Sequence, residues 1–211
     1  MTASCRPLAF VAATTLFVAS ATVARAQGIA PPTTTTTPDA ARLPITSSTR
    51  VDWVTTTIVG PQSLIAGAVT AGTETMIPFP PEWERTAAGF GRRYVSRDGA
   101  IAISNGVEAL LGAGWGEDPR YFECRCGGVG RRAAHAAKLS VLAARADGHV
   151  APAWGRYAGT LTSNFAQEAW LPPSARTWQQ MVLRQAGAVG GRFVGNLWAE
   201  FWPDVRRRFR H

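Results

Sequence analysis

The sequence predicts an all-α fold, a compact bundle of about five to six helices, and three observations carry that expectation. Pro and Gly clusters cut residues 50–205 into segments whose apolar residues recur at three and four rather than in alternation. Most of those segments open on Pro, Ser or Asp and close on Gly or Pro, the punctuation of helices. Alternating runs of about ten residues are missing, which argues against an outer-membrane β-barrel. The 211 residues are 46% hydrophobic and 17% charged, and three cysteines are too few for a disulfide scaffold. A balance of 22 Lys+Arg against 14 Asp+Glu, net +8, is strongly basic, yet no nucleic-acid-binding motif accompanies it, so nucleic acid is not an expected partner.

Taken in order, residues 1–26 carry a basic start at Arg6, an apolar run over 8–23 and the Ala24-Arg25-Ala26 triplet, the layout of a cleaved signal peptide. The run is shorter than the roughly 20 residues that span a bilayer. Cys5 lies ahead of the run and leaves with the leader. Residues 27–49 hold Pro31, Pro32, five consecutive threonines and Pro38, too little apolar surface to offset the entropy of ordering, so they read as an extended tether. The folded part is expected over 50–205, followed by a basic tail at 206–211.

The first helix is expected at Pro61–Met76, with Pro at the first helical position. Pro81 opens the next segment, with Trp83, Ala87, Phe90 and Tyr94 on one face and Arg85, Arg92 and Arg93 on the other. Asp98 caps a third segment over 98–111, whose residues 100–104 also fit a strand. An alanine-rich helix follows over 129–145 and stops at Asp147-Gly148, and another runs over 154–170 to Pro172-Pro173. The last is expected over 174–202, with Ser174 as its cap and Pro203 beyond its end.

Three of these helices repeat a small residue at every fourth position, as Ser63/Gly67/Ala71, Gly155/Gly159/Ser163 and Gly187/Gly191/Gly195. Glycine in a helix interior costs roughly 1 kcal/mol against alanine, so the repetition implies a gain from backbones approaching closely. Ordinary bundle packing supplies such a gain, and so does association in or on a membrane, within one chain or between copies. Arg184, Arg192 and Glu200 make the last segment costly as a span, which favours an interfacial association. Eight tryptophans suit either a lipid boundary or a core.

Arg206, Arg207, Arg208 and Arg210 beside Trp198, Phe201 and Trp202 form a cluster that can hold anionic lipid phosphates, or else complement the dipole at the end of the last helix. Cys124 and Cys126, split by one residue, can close a very small disulfide or stay free; with His135 and His149 they make four candidate zinc ligands, at a spacing unlike the usual one. Asp118, Arg120, Tyr121 and Glu123 form a polar turn. As an enzyme cleft they would supply an acid and a cationic clamp; as structure, an Asp118–Arg120 pair would fix the turn. Phosphate-loop, dinucleotide, nucleophile-elbow and zinc-protease motifs are absent from the sequence, and no cofactor is expected.

The pieces Gly89-Phe90-Gly91-Arg92-Arg93-Tyr94, Asp118-Pro119-Arg120-Tyr121-Phe122 and Glu200-Phe201-Trp202-Pro203-Asp204 resemble an uncharacterised family of exported bacterial proteins of similar length, without established activity. The resemblance implies export and a single domain, and it brings no catalytic residue. The Cys124/Cys126 pair stands outside that pattern.

These readings lead to an exported, non-enzymatic protein of the periplasm or outer-membrane-associated cell envelope, of the glycine-zipper kind, with membrane lipid, an envelope protein or a second copy as candidate partners. The competing readings are an envelope hydrolase-like enzyme at the Asp118–Glu123 turn and a thiol or metal protein at Cys124 and Cys126.

Overall fold

The structure, a computed structural model, describes residues 45–124, 126–145 and 147–209. The expected signal peptide, most of the tether, Cys5, Arg210 and His211 lie outside these residues. The order is α1 (Ser47–Val59), α2 (Pro61–Met76), a 3-10 turn (Pro81–Trp83), α3 (Ala87–Trp115), β1 (Glu117–Asp118), α4 (Val129–Val141), β2 (Leu142–Arg145), β3 (Val150–Pro152), α5 (Trp154–Gln167), a second 3-10 turn (Pro173–Ala175) and α6 (Trp178–Arg208). The fold is all-α, as the periodicity predicts, with one small antiparallel sheet in the order β1-β2-β3.

Threonines start three of the helices. Thr46, Thr86 and Thr177 accept from the amides of Thr49, Gly89 and Gln180 and so satisfy free donors in the first turns of α1, α3 and α6. Asp98 and Ser174 therefore do not have the capping roles expected of them. Asp98 lies inside α3 and pairs with Arg97 at 2.9 Å, while the Ser174 hydroxyl donates to Glu82 Oε2 at 2.6 Å. The two expected segments over 81–94 and 98–111 are one helix from Ala87 onward, which runs unbroken through Gly99 and Gly106. Helix α1 begins inside the expected tether, and the last four residues of the expected 129–145 helix are β2. Helix α6 continues through Pro203 to Arg208, so Arg206, Arg207 and Arg208 are helical rather than a tail.

Helix α3 is the centre: α1, α2 and α5 pack on it, α4 packs on α6, and α5 also touches α6. Helices α3 and α5 cross closely, and glycine allows it. A Cβ on Gly155 would stand 3.1 Å from Glu108 O, and one on Gly159 would collide with Ser104 O. Ser163, next on the same face, donates to Ala100 O at 2.8 Å. On α2 a Cβ at Gly67 would meet Tyr94 at 2.9 Å, Ser63 O accepts from Arg97, and Ala71 is fully enclosed. Gly187, Gly191 and Gly195 on α6 behave differently, since nothing lies within 4 Å of an added Cβ.

The interior is polar. Arg93, Glu108, Glu117, Asp118, Arg156, Asn164, Gln167, Asn196 and Glu200 are buried, whereas the buried apolar residues among those described are alanines plus Leu139 and Leu171. Large apolar side chains stand outside on every long helix, among them Leu110 at 75%, Trp178 at 70% and Phe165 at 60% exposure. Exposed apolar residues are ordinary one at a time; buried charge together with broad apolar exposure is the informative combination.

Candidate functional site

The buried charges are organised in three groups. In the first, Glu108 on α3 receives Arg156 Nε from α5 at 3.1 Å and Arg192 Nη2 from α6 at 2.6 Å. Arg156 also donates through Nη1 to Leu139 O at 3.0 Å and Ser140 O at 3.1 Å, carbonyls at the end of α4. One carboxylate thus ties four helices. Burial, helped by the Arg156 charge, lowers the Arg192 pKa, and the charge and hydrogen bond of Glu108 oppose that effect.

The second group is built on Arg93 at the start of α3. Its guanidinium donates to the carbonyls of Phe79 (3.0 Å), Pro80 (3.0 Å), Trp83 (2.7 Å) and Glu84 (3.0 Å). A Cβ on Gly89 would collide with two of those carbonyls, at Trp83 and Glu84. The Gly89–Tyr94 piece is therefore a device for folding the 77–86 connection onto α3. Arg93 was expected opposite the apolar face with Arg85 and Arg92; with four carbonyls converging on it, it is buried.

The third group surrounds Glu200, which is completely enclosed on α6. Tyr121 Oη donates to Glu200 Oε2 at 2.6 Å, the Cys124 amide to the same oxygen at 2.8 Å, and Arg132 Nε to Oε1 at 2.8 Å. Arg132 also reaches Asp204 and the Glu200 carbonyl, and its guanidinium lies 4.4 Å from the Phe201 ring centroid. His135 bonds Phe122 O at 3.0 Å and meets the Tyr121 ring edge-on. Burial opposes ionisation of Glu200, but its hydrogen bonds from Tyr121, Arg132 and the Cys124 amide outweigh burial and hold the carboxyl below its ordinary value. Burial and the same carboxylate push the Tyr121 phenol above its ordinary value, so it remains a donor. We call this arrangement the Glu200 clasp, because it fastens the 119–128 connection to α6.

The polar turn proposed as an enzyme cleft is distributed among structural tasks. Glu117 is buried and accepts from the amides of Trp154 at 3.2 Å and Gly155 at 2.9 Å, capping α5, which has no side-chain cap of its own. Asp118 receives its neighbour Arg120 at 3.0, 3.2 and 2.7 Å. Tyr121 turns into the clasp, and Glu123 is exposed, its carboxyl raised by partial desolvation and by Glu200. Asp118 and Arg120 thus pair with each other while Tyr121 and Glu123 turn elsewhere, so the four do not meet as acid and clamp around one reacting position.

The four candidate zinc ligands do not converge. Cys124 and Cys126 are joined as a disulfide, His135 is engaged with Phe122, and exposed His149 sits in the β2–β3 turn. Among the described residues no group of three or more His, Cys, Asp or Glu could hold a metal ion.

The residues that organise the interior, Glu108, Arg156 and Glu200, were not singled out as sites from the sequence. Arg192, Asn196 and Glu200 recur at every fourth position of α6, a polar stripe beside the glycine stripe and the signal that could have found them. In three dimensions this stripe faces inward. Arg184 likewise turns in to Glu168 at 2.7 Å. The opposite face carries Trp178, Val182, Leu183, Gly187, Gly191, Gly195 and Trp198, uncharged and outward, and leads to Val205, Arg207, Arg208 and Phe209. Trp198 stacks on Trp202 with centroids 4.6 Å apart. No family model, no curated protein and no solved structure matches the chain.

Proposed function

We propose that this is a non-enzymatic protein of the bacterial cell envelope that lies against lipid through the outward apolar faces of its helices, with the arginine end of α6 at the anionic headgroups. One observation supports the reading above the others: the charges of α5 and the middle of α6 are turned inward and paired, while the outer faces are apolar. Such a distribution suits a surrounding that is less polar than water, where ionisable groups face the interior and find one another. The three costly residues of α6, Arg184, Arg192 and Glu200, have inward partners in Glu168, Glu108 and Arg132.

Among the described residues no helix is long and apolar enough to cross a membrane. The association proposed is therefore lateral, with side chains such as Trp154, Leu161, Phe165 and Trp178 entering the boundary between headgroups and acyl chains. Export is supported by the layout of residues 1–26.

Fractionation of the producing cell and flotation with vesicles test the reading. The expected result is recovery with membranes that resists high salt, together with flotation on vesicles containing phosphatidylglycerol. Recovery wholly in the soluble fraction, with no flotation on any vesicle, would overturn it.

A further inference from the structure

We propose that the Cys124–Cys126 disulfide is a thiol–disulfide exchange site, reduced by an external dithiol, whose redox state sets whether the Glu200 clasp holds the 119–128 connection on α6. The inference does not depend on the lipid reading. It begins from the spacing, because the bridge encloses only one residue. The stabilisation a bridge gives through the unfolded chain grows with the loop it closes, so this one adds little to folding and is poorly explained as a staple.

Its position gives it a different consequence. The backbone amide of Cys124, attached to the first Cα of the ring, is one of three donors to the buried Glu200 carboxylate, at 2.8 Å. Tyr121, three residues earlier, supplies the second donor from the same connection, and Arg132 on α4 the third. Opening the ring removes the constraint on Cys124 Cα, next to the donating amide, and so loosens that donor's hold on the carboxylate. Both cysteines are half-buried, and Cys126 is followed by the exposed Gly127, whose carbonyl accepts from Arg131 Nε at 2.7 Å, and by the exposed Gly128. At Gly128 an added Cβ would meet nothing within 4 Å, so a thiolate has a path to the Cys126 side of the ring.

The exchange is balanced. One thiolate of the dithiol attacks Cys126 Sγ, the sulfur–sulfur bond breaks, and Cys124 leaves as a thiolate that takes a proton from water. The second thiolate of the reagent then attacks its own sulfur in the mixed disulfide and releases Cys126. The chain gains two electrons and two protons, and the reagent becomes a disulfide.

The test uses the full chain and dithiothreitol in defined reduced-to-oxidised ratios, with thiols alkylated under native conditions and a Cys124→Ser/Cys126→Ser variant to subtract Cys5. The expected result is two extra alkylatable thiols in the folded protein and at least tenfold faster amide exchange over 196–208 once they form. By reciprocity, weakening the clasp must favour the reduced state. Tyr121→Phe, which removes one donor and keeps the ring, is expected to lower the reduced-to-oxidised ratio at half-reduction at least threefold. The proposal is overturned if the bridge yields only when the chain unfolds, if both thiols are free before reductant is added, or if Tyr121→Phe leaves the midpoint unchanged.

Discussion

Glu200 shows what a single residue is asked to do in this interior. A fully enclosed carboxylate is stable only while its donors are present, and removing one member of a buried charged pair leaves the other without compensation. Glu200→Gln keeps the shape, loses the charge that Arg132 faces, and is expected to cost about 3 kcal/mol, measured by denaturant unfolding. The pH dependence has a definite sign. Because the folded carboxyl is held below its unfolded value, its contribution is complete above the unfolded carboxylate range and is lost as pH falls through the lower folded value. Tyr121, Arg132, Glu123 and Asp204 all act on this site; Asp204, held low chiefly by its Arg132 hydrogen bond, has the same acid dependence, whereas Glu123, raised by desolvation, has the opposite one. The acid limb of wild-type stability is therefore expected to flatten in Glu200→Gln without vanishing. An unaltered acid limb would remove Glu200 from this role.

At the level of the elements, the same residue type has opposite meanings in α5 and α6. Gly159 lies against the α3 backbone, so Gly159→Ala is expected to force the two helices apart and cost about 2 kcal/mol. Gly191 has open space where the Cβ would go, so Gly191→Ala is expected to stabilise α6 by about 0.5–1 kcal/mol through helix propensity alone. Thermal melts of the two variants at low protein concentration check both signs, and equal shifts would refute the distinction. Sequence spacing was enough to locate α2 and to place small residues on single faces of α2, α5 and α6. It could not say which of those faces looks inward, because Gly155/Gly159/Ser163 and Gly187/Gly191/Gly195 have the same period and similar neighbours. Inward and outward were also hard to read because the usual rule is reversed on α5, where Arg156, Asn164 and Gln167 point in while Trp154, Leu161 and Phe165 point out. The helix boundaries at Thr46, Thr86 and Thr177 escaped for a more local reason: Asp98 and Ser174 are equally good caps by type, and only the tertiary position decides which is used.

For the molecule as a whole, the arginine end of α6 separates two accounts of the apolar exterior. If apolar burial alone drove association, membranes of any charge would serve, and salt would have little effect. If the end of α6 sits at the headgroups, Arg206, Arg207 and Arg208 add attraction to anionic lipid of about 1 kcal/mol each, a factor of about five per residue at low salt. Changing all three to Ser is then expected to lower partitioning onto phosphatidylglycerol vesicles about 100-fold at low ionic strength, while leaving the weaker partitioning onto phosphatidylcholine unchanged. Added salt should bring wild type and variant together, because exposed charges are screened beyond about 10 Å at 0.1 M. Arg207 is 77% exposed and only 3.9 Å from Asp204, too loose a pair to commit its charge within the chain. Replacing Trp178 with Ser, at the opposite end of the same helix, should by contrast lower partitioning onto both kinds of vesicle by a similar factor, since the indole contributes area and no charge. Equal losses from the arginine and tryptophan variants on both membranes would mean that α6 has no charged end in contact with the headgroups, whatever else holds the protein to lipid.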